Sequence, residues 1–279
     1  MATHTLKKQS LKFSLIIVAS TVFDVLLHQA HQDPLKNVST KAQSIVITSG
    51  WFLPAASASL ILAFCTMGLI FLAIQKTLRG TKLQKGGAFG VALGGMYLIG
   101  MIEAYVLFPV SFFGEVYTGI ADCCGILLMS LLLGKYMAED TIKREEDRLP
   151  ALPAVLIIPV IYVLMRYFSY TVLHIESSYA VRPLATLLWT AGMGCWIGVM
   201  YGLVGRNVWQ EHPFKHALLF GGLVFGFNWL IFNLFALLFI DYPVSDLVYR
   251  SVFDAFAIVI GVYISLLFQK SHNRQHKGC

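Results

Sequence analysis

Eight runs of predominantly apolar residues, each long enough to cross a bilayer as a helix, occupy most of this 279-residue chain. A spanning helix needs roughly 20 such residues at 1.5 Å per residue. The runs lie at roughly 11–31, 51–74, 86–108, 116–136, 151–174, 183–205, 214–239 and 246–268. Inside lipid every backbone N–H and C=O must find a partner within the protein, so only helices and closed barrels span. Runs of this length, without strand-like alternation, select the helix. The expected fold is all-α: a polytopic membrane helical bundle of eight transmembrane helices.

Composition removes the soluble alternatives. Charged residues make up 13% of the chain, about half of the roughly 25% usual in soluble domains. Hydrophobic residues reach 57%, and the mean hydropathy is +0.70. The net charge of +6 could suggest nucleic acid, but the basic residues sit in short loops between apolar runs. That distribution orients helices in a membrane, so the expected partner is the lipid bilayer and not nucleic acid. Lys7, Lys8, Lys12, Lys76, Arg79, Lys82, Lys85, Lys135, Lys143, Arg144, Arg148, Arg206, Lys215, Lys270, Arg274 and Lys277 fall on one set of loops and ends. The opposite set offers Lys36, Lys41, Arg182 and Arg250. Both termini are therefore expected in the cytoplasm, with the chain multi-pass in a cell membrane.

The two halves resemble each other. Residues 90–128, moved forward by 132 positions, lie without a gap on 222–260, with nine identities among 39 pairs. They include Gly90/Gly222, Gly94/Gly226, Tyr117/Tyr249 and Asp122/Asp254. Four helices per half is an even number, so both copies would enter the membrane from the same side, as a parallel 4+4 internal repeat. The expected domains are a first four-helix repeat (1–137), a charged cytoplasmic linker (138–150), a second four-helix repeat (151–269) and a basic tail (270–279). Mixed charges in the linker suggest a short helical extension ending before Pro150. Gly86, Gly90 and Gly94 recur every four residues, and so do Gly222 and Gly226. That spacing lets a neighbouring helix approach closely.

Ionisable groups inside a span are costly, and they mark function by default. Here they are Asp24, Glu103, Asp122, Arg166 and Asp254, joined by the amides Asn228 and Asn233. Asp254 follows Arg250 by four residues and can pair with it along one helical face. Arg166 is then available to Asp24, Glu103 or Asp122. With both termini inside, the polar groups fall in the outer halves of their spans, Asp122 roughly 9 Å from its outer end. An outward-facing acidic vestibule between the repeats follows, with Asp122, Asp254, Glu103, Asn228, Asn233, Arg166, Tyr117 and Tyr249 as the binding and ion-coupling set. Separately, Asp24, His28 and His31 share one helix face at spacing i, i+4, i+7. Two imidazoles and a carboxylate can hold a transition metal. The five cysteines show no CxxC spacing, so neither a disulfide framework nor a thiolate zinc site is expected.

The function these features favour is a small permease for a cation or small polar solute, the two halves moving about a shared site. No HExxH or GxSxG motif is present, so no catalytic residue is assigned and no cofactor beyond the possible metal is expected. Two alternatives stand beside the permease. One is an intramembrane metal-dependent enzyme at the outer leaflet; the other is a non-catalytic subunit or assembly factor of a membrane complex.

Overall fold

The computed structural model describes residues 2–30, 42–140, 152–206 and 212–277. His31, linker residues 141–150 and Cys279 lie outside the described residues. The described part is helical, with one isolated β-bridge between Gln43 and Ile240. Eight long helices follow in order: α1 (Ala2–Gln29), α2 (Phe52–Ile74), α3 (Lys82–Leu107), α4 (Phe112–Met137), α5 (Leu152–Thr171), α6 (Pro183–Gly205), α7 (Pro213–Phe239) and α8 (Val244–Lys277). Each contains a window long and apolar enough to cross a bilayer. They are apolar on more than one face: α2 buries Phe64, Met67 and Phe71 and leaves Leu62 and Leu69 exposed. A helix apolar all round turns one side to the core and another to lipid. This is a multi-pass membrane protein.

The apolar spans within these helices agree with the sequence to within four residues, the largest shifts being at the starts of α3 and α4. Thr81 and Gln84 cap α3 reciprocally, with Thr81 N–H donating to Gln84 Oε1 at 2.8 Å. The Ser111 hydroxyl accepts from Gly114 N–H at the start of α4. These caps satisfy N–H groups that a helix start leaves open, and each adds a turn that hydropathy alone misses. At its other end α4 stops at Met137. The expected helical extension does not begin there, because Ala138–Asp140 are non-helical. Lys85 Nζ donates to Glu139 O at 2.7 Å, and Glu139 N–H donates to Gln75 Oε1 at 3.0 Å. Those contacts draw the chain away from the helix axis.

Two compact units emerge, Met1–Lys143 with Phe235–Asp241, and Arg144–Leu234 with Tyr242–Cys279. In the first, α3 and α4 form the closest pair, and α1 packs on α4 and α2. The glycine ladder of α3 is the reason. A Cβ at Gly86 would overlap Ser130 O, and one at Gly90 would lie 3.0 Å from Leu127 Cα. Gly119 returns the arrangement from α4, where a Cβ would sit 2.9 Å from Leu98 Cα. The segment ending α7 joins this unit through Ser44, whose hydroxyl donates to Leu238 O at 2.7 Å.

In the second unit α5 packs against both α6 and α8. A Cβ at Gly198 would come 2.9 Å from Val155 Cα, and one at Gly261 would come 3.2 Å from Ile158 Cα. The start of α7 packs on α8, but not through the expected Gly222/Gly226 pair. Gly221 faces Val259 and Gly226 faces Ala255, whereas Gly222 meets only Leu218 of its own helix. The cause is that Leu219–Phe227 is a π-helix. Its i→i+5 bonding brings residues five apart onto one face, so Gly221 and Gly226 line up.

Gly86→Val should therefore destabilise the first unit by about 1–3 kcal/mol through overpacking. Gly87→Val, whose Cβ would meet nothing closer than 3.9 Å, should stay close to wild type. Thermal unfolding of both variants in the same detergent checks the contrast.

Candidate functional site

In the first unit α1 and α4 bring three ionisable side chains together. Asp24 and His28 stand one turn apart on α1, and Asp122 faces them from α4. Asp122 lies ten residues past Phe112, the first residue of α4, or roughly 15 Å along the helix. It lies farther along its helix than the sequence implied, because the Ser111 cap moves the helix start back from 116 to 112. Two contacts fix the approach of α1 to α4. Tyr117 Oη donates to Leu27 O at 3.1 Å. Gly125 provides the room, since a Cβ there would overlap Asp24 Oδ1.

The Asp24 side chain is fully buried, and neither of its oxygens accepts a hydrogen bond among the described residues. His28 bridges the two acids. Its Nδ1 lies 3.4 Å from Asp24 Oδ2, and its Nε2 lies 3.4 Å from Asp122 Oδ1. Nδ1 is also 2.9 Å from the backbone oxygen of Asp24. That contact favours the tautomer whose Nδ1–H donates to the carbonyl, leaving the Nε2 lone pair toward Asp122. Glu115 stands in the first turn of the same helix, α4. Tyr97 of α3 is buried. Among the described residues, His28 is the sole basic side chain paired with either aspartate. The His28 imidazole is 31% exposed and the Asp122 side chain 14%, so the site has an open side.

Of the expected metal set Asp24, His28 and His31, the structure describes Asp24 and His28, one turn apart on α1. His31 lies outside the described residues, and Asp122 supplies the third ligand-type group. One oxygen or nitrogen from each of Asp24, His28 and Asp122 can be chosen so that all lie within 4.8 Å of one another.

Asp254 has different surroundings in the second unit. It too lies ten residues past the start of its helix, Val244. Arg166 donates to it through two nitrogens, Nε to Oδ1 at 2.7 Å and a terminal nitrogen to Oδ2 at 2.6 Å. Trp229 Nε1–H donates to Oδ2 at 2.7 Å, and Tyr162 Oη at 3.3 Å. The guanidinium lies over the Trp189 ring, 4.9 Å from its centroid, and donates to Tyr170 Oη at 3.3 Å. This is a buried, bidentate, fully hydrogen-bonded ion pair.

Arg250 is not the partner of Asp254, although i, i+4 spacing allowed it. It donates to Glu176 O at 2.6 Å and pairs with Asp246 at 3.4 Å, while Asp246 accepts from Glu176 N–H at 2.9 Å. These bonds tie the loop after α5 to the first turns of α8. The loop gets there by a reversal at His174, φ +54°, after which Ile175 N–H returns to Ser169 O at 3.3 Å.

The remaining expected site residues are dispersed. Asn228 donates to Val224 O at 2.7 Å; Asn233 donates to Trp229 O at 2.8 Å and Ser251 Oγ at 3.1 Å. Their amides therefore serve the irregular backbone of α7. Glu103 is buried on α3, and Tyr249 is exposed. Sequence reading passed over Glu115, Gly125 and Tyr97. The signal for Glu115 was the Ser111 cap, which puts it inside the helix. For Tyr97 it was the 132-residue offset, which aligns it with Trp229. No protein family, curated protein or solved structure matches the chain.

Removing one partner of the second unit's ion pair leaves a buried charge uncompensated, at a cost of about 3–5 kcal/mol. Asp254→Asn should therefore lose most of its folded protein. The double variant Arg166→Met/Asp254→Leu removes both charges and should recover it. Monodisperse yield after detergent extraction measures both.

Proposed function

We propose that the protein is a small permease-like carrier of a cation, with Asp24, His28 and Asp122 as its binding site. The observation that carries this reading is the Asp24 carboxylate, fully buried and without a hydrogen-bond donor among the described residues. It faces a second acid across one imidazole. Carboxylates this close in low dielectric repel strongly unless positive charge lies between them. Ion pathways through membranes are marked by such groups.

Loop charge supports placing the chain in a cell membrane with both termini cytoplasmic. In that orientation Asp24, five residues before the end of α1, belongs to the external half of its span. The cation would enter from outside, past His28 and Asp122. Asp254 takes a different part in this scheme. Arg166 already neutralises it, so it acts as a fixed joint of the second unit and not as a ligand.

Proteoliposomes loaded with ion-sensitive dyes test the reading. Wild-type protein should carry at least one of H⁺, Na⁺, K⁺, Mg²⁺, Mn²⁺ or Zn²⁺ across the bilayer. Asp24→Asn and Asp122→Asn should lose that flux by at least about tenfold, the effect of some 1.4 kcal/mol at a binding site, with membrane abundance unchanged. Liposomes no leakier than empty ones to any of these ions would overturn it. So would full flux in both variants.

A further inference from the structure

We infer that the cluster Asp24–His28–Asp122 is a site for one divalent first-row transition-metal ion, of the class of zinc or manganese. The inference rests on the carrier site proposed above and names its cation.

Three observations converge. The first is ligand chemistry. The set offers one imidazole nitrogen and two carboxylate oxygens, all within 4.8 Å. Calcium and magnesium favour oxygen-only shells, whereas a mixed nitrogen and oxygen set suits first-row transition metals. The second is orientation. The Nδ1 contact with the Asp24 carbonyl, 2.9 Å, is the outer hydrogen bond that usually orients a metal-binding histidine and leaves Nε2 as the ligand. Nε2 then faces Asp122 Oδ1 at 3.4 Å. Two lone pairs do not face each other stably with nothing positive between them. Ligand bonds of about 2.0–2.2 Å to a tetrahedral ion put neighbouring ligand atoms roughly 3.3–3.6 Å apart, which matches that separation.

The third is charge. Two carboxylates and a neutral imidazole carry two negative charges. A single divalent ion balances those two charges, which otherwise require two protons or two monovalent ions. The second unit reaches the same end with a residue of its own: Arg166 neutralises Asp254. In the first unit, among the described residues, no lysine or arginine pairs with Asp24 or Asp122. Asp24 has room to turn toward an ion, because α4 presents the bare backbone of Gly125 beside it.

Full-length protein in detergent, stripped with chelator and titrated with zinc by calorimetry and elemental analysis, tests the inference. One zinc per chain is expected, with manganese weaker, as the usual order of affinities requires, and no binding of calcium. His28→Asn and Asp122→Asn should each weaken zinc by at least about 10–100-fold. Gly125→Ala, which displaces Asp24 while keeping every ligand, should do so by about tenfold or more. Asp140→Asn, on an exposed ion pair, should bind as wild type.

Cobalt(II) in place of zinc gives a readout that does not depend on variants folding. Weak visible bands without a thiolate charge-transfer band are expected. A strong charge-transfer band would move the site to a cysteine such as Cys123 or Cys124 and overturn the inference, as would zinc binding that both ligand variants leave intact. The two proposals fail separately. Asp122-dependent flux without zinc binding removes the metal and keeps the carrier; zinc binding without flux of any ion removes the carrier and keeps the metal.

Discussion

A carboxylate buried in a membrane protein must be neutralised, and the charge that neutralises it decides what the surrounding helices can do. Asp122 and Asp254 each lie ten residues past the start of a long helix, and each is met by side chains from neighbouring helices. Around Asp254 the neutralising charge is permanent. Arg166 binds it in a fork, Trp229 and Tyr162 take up remaining acceptor capacity, and Trp189 covers the guanidinium. Such a pair is rigid, because moving any member exposes an unpaired buried charge. Around Asp122 the neighbours are a second acid, Asp24, and the His28 imidazole that lies between the two. One environment is closed to ligands by its own arginine, and the other has an open side.

Helix packing produces that difference through very small residues. Gly125 allows α1 to bring Asp24 against α4, and Gly86, Gly90 and Gly119 seat α3 against α4. Without side chains between them, these helices approach closely enough for Asp24, His28 and Asp122 to meet. In the second unit the corresponding adjustment is made by the backbone. The π-helical stretch of α7 shifts its glycine face by one residue, Asn228 returns a hydrogen bond to Val224 O within that stretch, and Asn233 bonds Ser251 of α8. Trp229 is then presented to Asp254. Hydrophobic burial alone does not distinguish these registers, since lipid is as apolar as a leucine-rich core.

The spans were legible because length and apolarity are local properties, and a bilayer sets both. The polar residues that matter were legible for the same reason, since an acid in an apolar run is conspicuous. Their partners were not. Arg250 and Arg166 were both candidates for Asp254 by charge, and i, i+4 spacing favoured Arg250. The structure chose Arg166, because Arg250 lies one turn nearer the helix start, where Asp246 and the Glu176 carbonyl draw it away. Sequence separation carries no information about which face of α5 meets α8. The same holds for Asp122 joining Asp24 and His28: spacing put the latter two on one face of α1 with His31, and only tertiary packing brings Asp122 beside them. The π-helix had no sequence signature beyond a run of small and aromatic residues.

Could the acid pair of the first unit serve packing alone? The contact between α1 and α4 already has a neutral tie in Tyr117 and Leu27 O, and a glycine that brings the backbones together. Neither needs a carboxylate at position 24. A buried Asp without donors weakens that contact: its desolvation is uncompensated, and its repulsion of Asp122 grows as the helices approach. An asparagine would fill the same space without the charge. The carboxylate becomes favourable only when something positive shares the cluster, and then it strengthens the same contact that it otherwise loosens. Binding and the α1–α4 approach are therefore linked thermodynamically: a cation that prefers the close arrangement shifts the helices toward it by its difference in affinity.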